Sequence, residues 1–256
     1  MGFPGSIKEL RRLLDQNGMP GMEDPLWEML ADDHRIAVQE LYQKLLKERQ
    51  RLEELLTWEK KWGSPATLVA GVDEAGRGPL AGPVTAAAVI LDVSVPIPGL
   101  NDSKQLSPVK RRELAGRIKE KAKAWAVGWA SVEEIDRLNI RRASLLAMKR
   151  AVAALPVQPS ILLIDGNAEI PDLDYRQQTV VGGDRASASI AAASILAKVT
   201  RDAYMEDLHW RYPCYGFDKH KGYPTREHYA AIEKYGLSPV HRKSFRREKR
   251  LEQQIF

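Results

Sequence analysis

The amino-acid sequence predicts an α/β domain with a mixed sheet flanked by helices, preceded by a small all-helical N-terminal unit. Apolar residues recur at helical spacing through the first 64 residues, whereas short runs rich in Val, Ile and Ala alternate with longer helical segments after them. A chain of 256 residues has room for one large domain with an appendage, at roughly 100–200 residues per domain. Interspersed strands and helices favour a sheet covered by helices.

The N-terminal unit is predicted to contain three helices. Ser6 is placed to cap the first, and Pro25 suits the first position of the second. An apolar stripe lies along one face of the third. The first two predicted helices cover residues 7–17 and 24–31, and the third begins at Asp32 or Asp33 and ends near Trp58. Glycine and proline then interrupt the pattern at residues 63–65, which predicts two domains, residues 1–64 and 65–256.

The larger domain is predicted to contain five strands and four main helices. Its strands are short apolar runs that stop at turn residues or acids, and its helices have apolar residues on one side. The strands are predicted at residues 68–72, 83–91, 124–130, 161–164 and 179–181. The helices are predicted at residues 107–123, 140–155, 186–208 and 225–235.

Composition excludes several classes of protein. A single cysteine excludes a disulfide framework or a cysteine-rich zinc module. No apolar run approaches the roughly 18 residues that span a bilayer, and no secretory signal is recognisable, so we expect a cytoplasmic protein without a membrane partner. Residues 1–64 carry a net charge of −2, whereas residues 65–256 carry +7. A basic larger domain, including the stretch HRKSFRREKR at residues 241–250, suits a polyanionic partner or a solvated basic face.

Four acids stand where an α/β sheet places its ligands, just after the apolar strands. They are Asp73, Glu74, Asp165 and Asp184. Converging carboxylates repel one another unless a cation neutralises them, and a shell of oxygen ligands favours Mg²⁺ or Mn²⁺ over zinc. Any one of these acids could instead be a turn or cap residue, Asp184 above all. Taken together they predict a site for two divalent ions that activates water against a phosphodiester.

A glycine-rich loop follows the first pair of acids. Residues 75–83 contain three glycines and two prolines around Arg77, and they partly match a dinucleotide-binding fingerprint. That fingerprint should open a helix, whereas the next segment is predicted as a strand. A tight hairpin is the simpler alternative, although a plain turn has little need of Arg77 between Gly76 and Gly78.

These segments resemble, in order, the sequence blocks of ribonuclease HII. The resemblance covers about residues 65–245. The matching strings are GVDEAGRGPLAGPV at residues 71–84, DSKQL at 102–106, LIDG at 163–166, GD at 183–184, SILAKVTRD at 194–202 and HKGYPT at 220–225.

The resemblance implies a ribonuclease H-like fold and a metal-dependent endonuclease. The enzyme would degrade RNA in RNA–DNA hybrids and would incise 5′ of ribonucleotides embedded in duplex DNA, leaving 3′-hydroxyl and 5′-phosphate ends. Asp73, Glu74, Asp165 and Asp184 match the metal-binding positions, with Mn²⁺ or Mg²⁺ as cofactor. Asp73 would bridge both ions, Asp165 would lie beside one, and Glu74 and Asp184 beside the other.

The same resemblance implies substrate-binding residues. The turn of Gly76, Arg77 and Gly78 would read the ribose 2′-hydroxyl through backbone groups, since that hydroxyl distinguishes RNA from DNA. Tyr223 would stack on the sugar at the RNA-to-DNA junction. Lys104 and Lys198 would lie near substrate phosphates, although a solvated or salt-bridged role suits either lysine as well.

Other functions and the N-terminal unit remain open at this stage. A non-catalytic nucleic-acid-binding module and a nucleotide-dependent oxidoreductase are the rival functions. We expect a monomer whose N-terminal unit contacts the duplex or steadies the catalytic domain.

Overall fold

The structure is a computed structural model that describes residues 2–21, 23–63 and 67–245. Ser64 and Pro65, at the predicted domain boundary, lie outside the described residues, as do residues 246–250 of the basic stretch.

The N-terminal unit is helical, as predicted, but its third helix is divided in two. Ser6 caps the first helix through a reciprocal pair of hydrogen bonds with Glu9. The predicted start of the third helix near Asp33 is wrong, because the Asp33 carboxylate instead accepts hydrogen bonds from Arg35 and from the Phe3 backbone. The helices are α1 (Ile7–Asn17), α2 (Leu26–Ala31), α3 (Ile36–Leu55) and α4 (Thr57–Trp62).

The residues on the two sides of the break between α3 and α4 pack into two separate apolar clusters. Leu55 and Leu56 pack into a cluster beneath the sheet, whereas Trp58 and Trp62 pack against a second cluster that contains Ile190. A continuous helix to Trp58, as predicted, would keep its apolar residues on one stripe and could not fill both clusters.

The larger domain contains the five predicted strands and additional short helices. Its elements are β1 (Val69–Ala75), β2 (Val84–Ile90), α5 (Pro108–Lys121), β3 (Ala124–Ala130), α6 (Val132–Leu138), α7 (Ile140–Ala153), β4 (Ile161–Asp165), β5 (Arg176–Val180), α8 (Gly183–Ala186), α9 (Ala188–Arg211), α10 (Phe217–His220) and α11 (Arg226–Tyr235). The sheet order is β3-β2-β1-β4-β5. Strands β1, β2 and β3 pair antiparallel, while β4 runs parallel to β1 and to β5, so the sheet is mixed, as predicted.

Helices cover both faces of the sheet. Ala87 of β2 packs with α5 and α9, whereas its neighbour Ala88 packs with α7 on the opposite face. A Cβ atom on Gly71 of β1 would lie only 2.1 Å from the backbone of Ser189, so glycine allows the start of α9 to contact the central strand. This close approach brings α9 beside the acids of β1.

Three local differences from the predicted elements bear on the site. Strand β5 begins earlier than predicted, since Gln177 pairs its amide with both backbone groups of Ile170 and so suits a half-buried edge strand. Helix α6 was not predicted; Ser131 and Glu134 form its capping box. Asp184 lies inside the one-turn helix α8 and does not cap α9, because Ser187 is the capping residue there. None of the described helices is long and apolar enough to cross a membrane.

Candidate active site

Carboxylates meet where β4 ends beside β1. The parallel pairing of these strands stops at Val72 and Ile164, and Asp73 and Asp165 are the next residues. Strand β1 itself continues to Ala75 on its other edge, so the prediction that it ends before Asp73 is wrong. The ending of the parallel neighbour, rather than of β1, leaves room for the acidic side chains.

Asp73 and Glu74 approach this point from opposite faces of β1, as their adjacency on a strand requires. The side chain of Asp73 is hydrogen-bonded to Ser194 of α9 and is 5% exposed. Glu74 lies in a small cavity that Asp165 also lines, and its carboxylate is 3.1 Å from the guanidinium of Arg77. Asp165, at the end of β4, is close enough to Asp73 and to Glu74 for its charge to raise the pKa of each. It therefore joins the two acids of β1 in one site.

Asp184 completes the group from α8. The backbone N–H of Gly183 donates to the Asp165 carboxylate at 2.7 Å, which brings α8 to the end of β4. Asp184 is 6% exposed, and the Lys104 ammonium lies 3.9 Å from its carboxylate. The Asp102 carboxylate is close enough to Asp184 for its charge to raise the Asp184 pKa. The four predicted acids therefore form one electrostatically coupled cluster.

Burial and mutual repulsion raise the pKa of three of these acids. Burial raises the pKa of Asp73 well above its ordinary value, and the charges of Glu74 and Asp165 raise it further. Burial likewise raises the pKa of Glu74, against the opposing charge of Arg77. The pKa of Asp184 is raised by burial, then by Asp102 and Asp165. This crowding of negative charge is what a divalent cation would neutralise.

The donor set fits a hard divalent ion. All four candidate ligands offer carboxylate oxygens, the donors that Mg²⁺ and Mn²⁺ prefer. In the described ranges, 2–21, 23–63 and 67–245, no three Asp, Glu, His or Cys side chains are placed so that they could hold a metal ion together as they stand. We therefore expect some carboxylates to reorient when an ion binds.

Two buried arginines hold the glycine loop against the rest of the domain. Arg201 of α9 donates to the carbonyl oxygens of Ala81, Pro83 and Lys221 at 3.0–3.1 Å. Arg242 donates to Gly76, Arg77, Gly82 and Pro83 at 2.6–3.2 Å. Burial lowers the pKa of Arg201 to about 10 and that of Arg242 to about 9, so both remain cationic at neutral pH. The loop is consequently a rigid feature beside the acids.

Arg242 corrects one interpretation of the sequence. The basic stretch at residues 241–250 suggests either a surface for phosphates or a solvated face, but Arg242 is 2% exposed and His241 is equally buried. Their side chains bind protein atoms, so they are not available to a polyanion.

Three of the predicted substrate-binding residues, Gly78, Tyr223 and Lys198, lie next to one another. A Cβ atom on Gly78 would be 3.6 Å from the ring of Tyr223, and the Lys198 ammonium lies 5.7 Å from the centre of that ring. Lys198 is also paired with Asp202 at 2.6 Å, and burial lowers its pKa. Lys104 lies beside Asp184 and Arg77 lies beside Glu74, so these two predicted residues flank the acids.

A chain of neutral histidines supports the backbone of Tyr223. The Ser238 N–H donates to Nδ1 of His241 at 3.0 Å, so the His241 proton lies on Nε2. That nitrogen is 3.0 Å from Nε2 of His228, whose Nδ1–H then donates to the Tyr223 carbonyl at 2.9 Å. Burial lowers the pKa of His228 and lowers that of His241 to about 4, in agreement with neutral rings.

Comparison with known proteins assigns the site. The family model described as ribonuclease HII matches residues 70–248, and the model described as ribonuclease HII N-terminal domain matches residues 6–63. The chain belongs to the ribonuclease HII family. It is therefore a hydrolase, a nuclease of the ribonuclease H type, with the metal dependence of that family. Members of the ribonuclease HII family act on RNA–DNA hybrids. Family membership excludes the oxidoreductase, and β2 after the glycine loop agrees, since no helix opens there.

Individual relatives agree with this assignment. The ribonuclease HII of Dechloromonas aromatica is 64% identical over 181 residues, which are 71% of this chain and 92% of that protein. The ribonuclease HII of Desulfitobacterium hafniense is 50% identical over 248 residues, 94% of each chain. The crystal structure of ribonuclease H2 from Pyrococcus horikoshii superposes with a TM-score of 0.60 at 27% identity, covering 70% of this chain and 94% of that one.

Several residues at this ribonuclease HII site were not selected from the sequence. Asp102 and Ser194 contact Asp184 and Asp73, and Arg201 holds the glycine loop. All three lie inside sequence blocks that match the family, so the blocks themselves could have indicated them. Arg242 had no comparable signal, since it stands within a run of surface-like basic residues.

Proposed function

We propose that this chain incises 5′ of ribonucleotides embedded in duplex DNA, besides degrading the RNA of hybrids, and leaves 3′-hydroxyl and 5′-phosphate ends. The observation that supports this most directly is that Gly78 of the glycine turn lies next to the Tyr223 ring, while Arg77 of the same turn pairs with Glu74. A turn that would bind the ribose 2′-hydroxyl and a neighbouring ring that would stack on a deoxyribose together suit a substrate with an RNA–DNA junction.

The four carboxylates are the proposed metal ligands. Asp73, Glu74, Asp165 and Asp184 would hold two divalent ions, Mn²⁺ or Mg²⁺. When bound, such ions activate a water molecule and stabilise the leaving oxygen of a phosphodiester. The protein contributes the crowded negative charge that attracts them and a nearby cation, Lys104, that can offset phosphate charge.

The backbone of the glycine turn is oriented for recognition of a hydroxyl group. Arg242 binds the carbonyl oxygens of Gly76 and Arg77 at 2.6 and 3.0 Å, and the peptide bonds of the described chain are all trans. Because N–H and C=O point in opposite directions across a trans peptide, the N–H groups of Arg77 and Gly78 face away from Arg242. We propose that these groups contact the ribose 2′-hydroxyl.

Tyr223 is the proposed sensor of the junction. Tyr223 is 39% exposed while its carbonyl accepts a hydrogen bond from His228, so the residue is accessible on a fixed backbone. A sugar stacked on its ring would lie between the glycine turn and Lys198. We also keep a domain boundary after residue 64, a cytoplasmic location and a monomeric state as predictions.

Cleavage of a duplex with one ribonucleotide tests the proposal. The substrate is double-stranded DNA carrying a single labelled ribonucleotide, with an all-DNA duplex and a full hybrid of the same sequence as controls. We expect Mn²⁺- or Mg²⁺-dependent incision 5′ of the ribonucleotide, no cutting of all-DNA duplex, and no activity in EDTA. Incision on the 3′ side, or equal cutting of all-DNA duplex, would refute it.

A further inference from the structure

Glu59 of the N-terminal unit has a buried carboxylate that is hydrogen-bonded to residues of the catalytic domain. Glu59 of α4 is 3% exposed, and its Oε1 accepts three hydrogen bonds. The donors are the Ser187 hydroxyl at 2.6 Å, the Ser189 backbone N–H at 2.8 Å and the Ser189 hydroxyl at 2.5 Å. A buried carboxylate is costly unless it is hydrogen-bonded, and the three bonds to Oε1 offset part of that cost. The other oxygen, Oε2, is buried without a hydrogen-bond partner among the described residues.

These donors lie directly after the helix that carries Asp184. Helix α8 has four residues, which is too short for a helix to persist without outside support. At its start, the Gly183 N–H is bonded to Asp165 at 2.7 Å. At its end, Ser187 and Ser189 are bonded to Glu59. The backbone of Asp184 is therefore held between two carboxylate anchors, one from each predicted domain.

Apolar contacts hold the Glu59 anchor in place. Trp58 and Trp62, on either side of it along α4, pack in the cluster that contains Val180 and Ala186. The guanidinium of Arg176, at the start of β5, lies 4.1 Å from the centre of the Trp62 ring. Helix α4 thus contacts both the strand before α8 and the residues after it.

We propose that Glu59 is a positioning residue for Asp184, through which the N-terminal unit sets the geometry of the metal-binding carboxylates. This inference rests on the proposed role of Asp184 as a metal ligand. Glu59 acts only through Ser187 and Ser189, which fix the end of α8.

Three variants of the full-length protein test the inference. Glu59→Ala removes the acceptor, Glu59→Gln keeps an oxygen that can accept from the serines, and Glu53→Ala is the matched control. Glu53 lies in the same unit, is half-exposed and, among the residues that the structure describes, pairs only with Arg49. Mn²⁺ binding is measured by calorimetry without substrate, and kcat and KM are measured on the single-ribonucleotide duplex.

We expect Glu59→Ala to weaken Mn²⁺ binding at least about tenfold and to lower kcat by a similar factor, since residues that orient metal ligands typically contribute 10–100-fold. KM for the duplex should stay close to that of the original protein. Glu59→Gln should recover most of the loss, and Glu53→Ala should match the original protein in both measurements.

Unchanged Mn²⁺ affinity in folded Glu59→Ala would overturn the inference. If Glu59→Ala does not fold, Ser189→Ala decides instead, because it removes one hydroxyl donor to Glu59 and leaves the Ser187 cap of α9 in place. Undiminished Mn²⁺ binding in Ser189→Ala would then overturn the inference. A protein with native residues that binds Mn²⁺ but does not cut at ribonucleotides refutes the proposed function alone, since the Mn²⁺ titration needs no substrate.

Discussion

Gly76→Ala should be strongly destabilising, and the structure allows its size to be estimated. Gly76 has a φ of +96°, a conformation that residues with a Cβ atom rarely adopt. A Cβ atom here would lie 2.1 Å from Nε and 2.4 Å from Cδ of Arg201. Arg201 is fully buried and makes three hydrogen bonds to backbone carbonyls, so its side chain has no free space to enter.

Two contributions add in this variant. The positive φ costs a residue with a side chain about 1–2 kcal/mol. Displacing Arg201 weakens hydrogen bonds from a charged donor, which are worth about 1.5–3 kcal/mol each. Loss of one such bond with the backbone strain gives about 2.5–5 kcal/mol, a large fraction of the roughly 5–15 kcal/mol that separates folded from unfolded proteins.

Urea unfolding of the full-length protein measures this effect. Gly116→Ala is the control, because Gly116 lies in α5 and a Cβ atom there meets nothing within 4 Å. Alanine in a helix interior is favoured over glycine by up to about 1 kcal/mol, so the control should be slightly stabilised. A free energy of unfolding for Gly76→Ala within about 1 kcal/mol of the original protein would refute the idea that Arg201 is immobile.

Three further predictions concern the acids, the junction sensor and the histidines. Asp73→Asn should abolish cutting while binding of the duplex, measured by fluorescence anisotropy, persists; intact cutting would contradict the metal scheme. Tyr223→Ala should reduce cleavage of single-ribonucleotide duplexes more than of long hybrids, with a stability change within about 0.5 kcal/mol because the ring is half-exposed; equal losses would argue against junction sensing. Stability should fall as pH drops from about 6.5 to about 4, since the unfolded chain takes up a proton that His241, with its folded pKa of about 4, resists. Urea midpoints across this range should show a smaller decline in His241→Gln and an unaltered one in His34→Gln, whose ring is exposed; the same decline in all three proteins would exclude His241 as its source.

The presence of five strands along the chain and the position of the acids could be predicted because they depend on local patterns. Strand β3 has the bounds predicted for it, since its apolar run AWAVGWA lies between the polar residues Lys123 and Ser131. Asp73 and Asp165 follow apolar runs, and parallel neighbours end at the same edge of a sheet. The break after Leu55 and the one-turn helix at Asp184 could not be predicted, because each depends on contacts with residues far away in the chain.

By itself, the sequence determined the mixed α/β architecture, the helical N-terminal unit and the four acids, because periodicity and residue chemistry are properties of short segments. Only the tertiary structure decided which charged side chains face solvent and which are buried and hydrogen-bonded inside the protein. Arg242 lies in a basic run yet binds the glycine loop, and Glu59 lies in an amphipathic helix yet holds the segment beyond Asp184. Whether a charged side chain is solvated or buried depends on the partners that the fold brings to it, and the donors around Glu59 are more than 120 positions away in sequence.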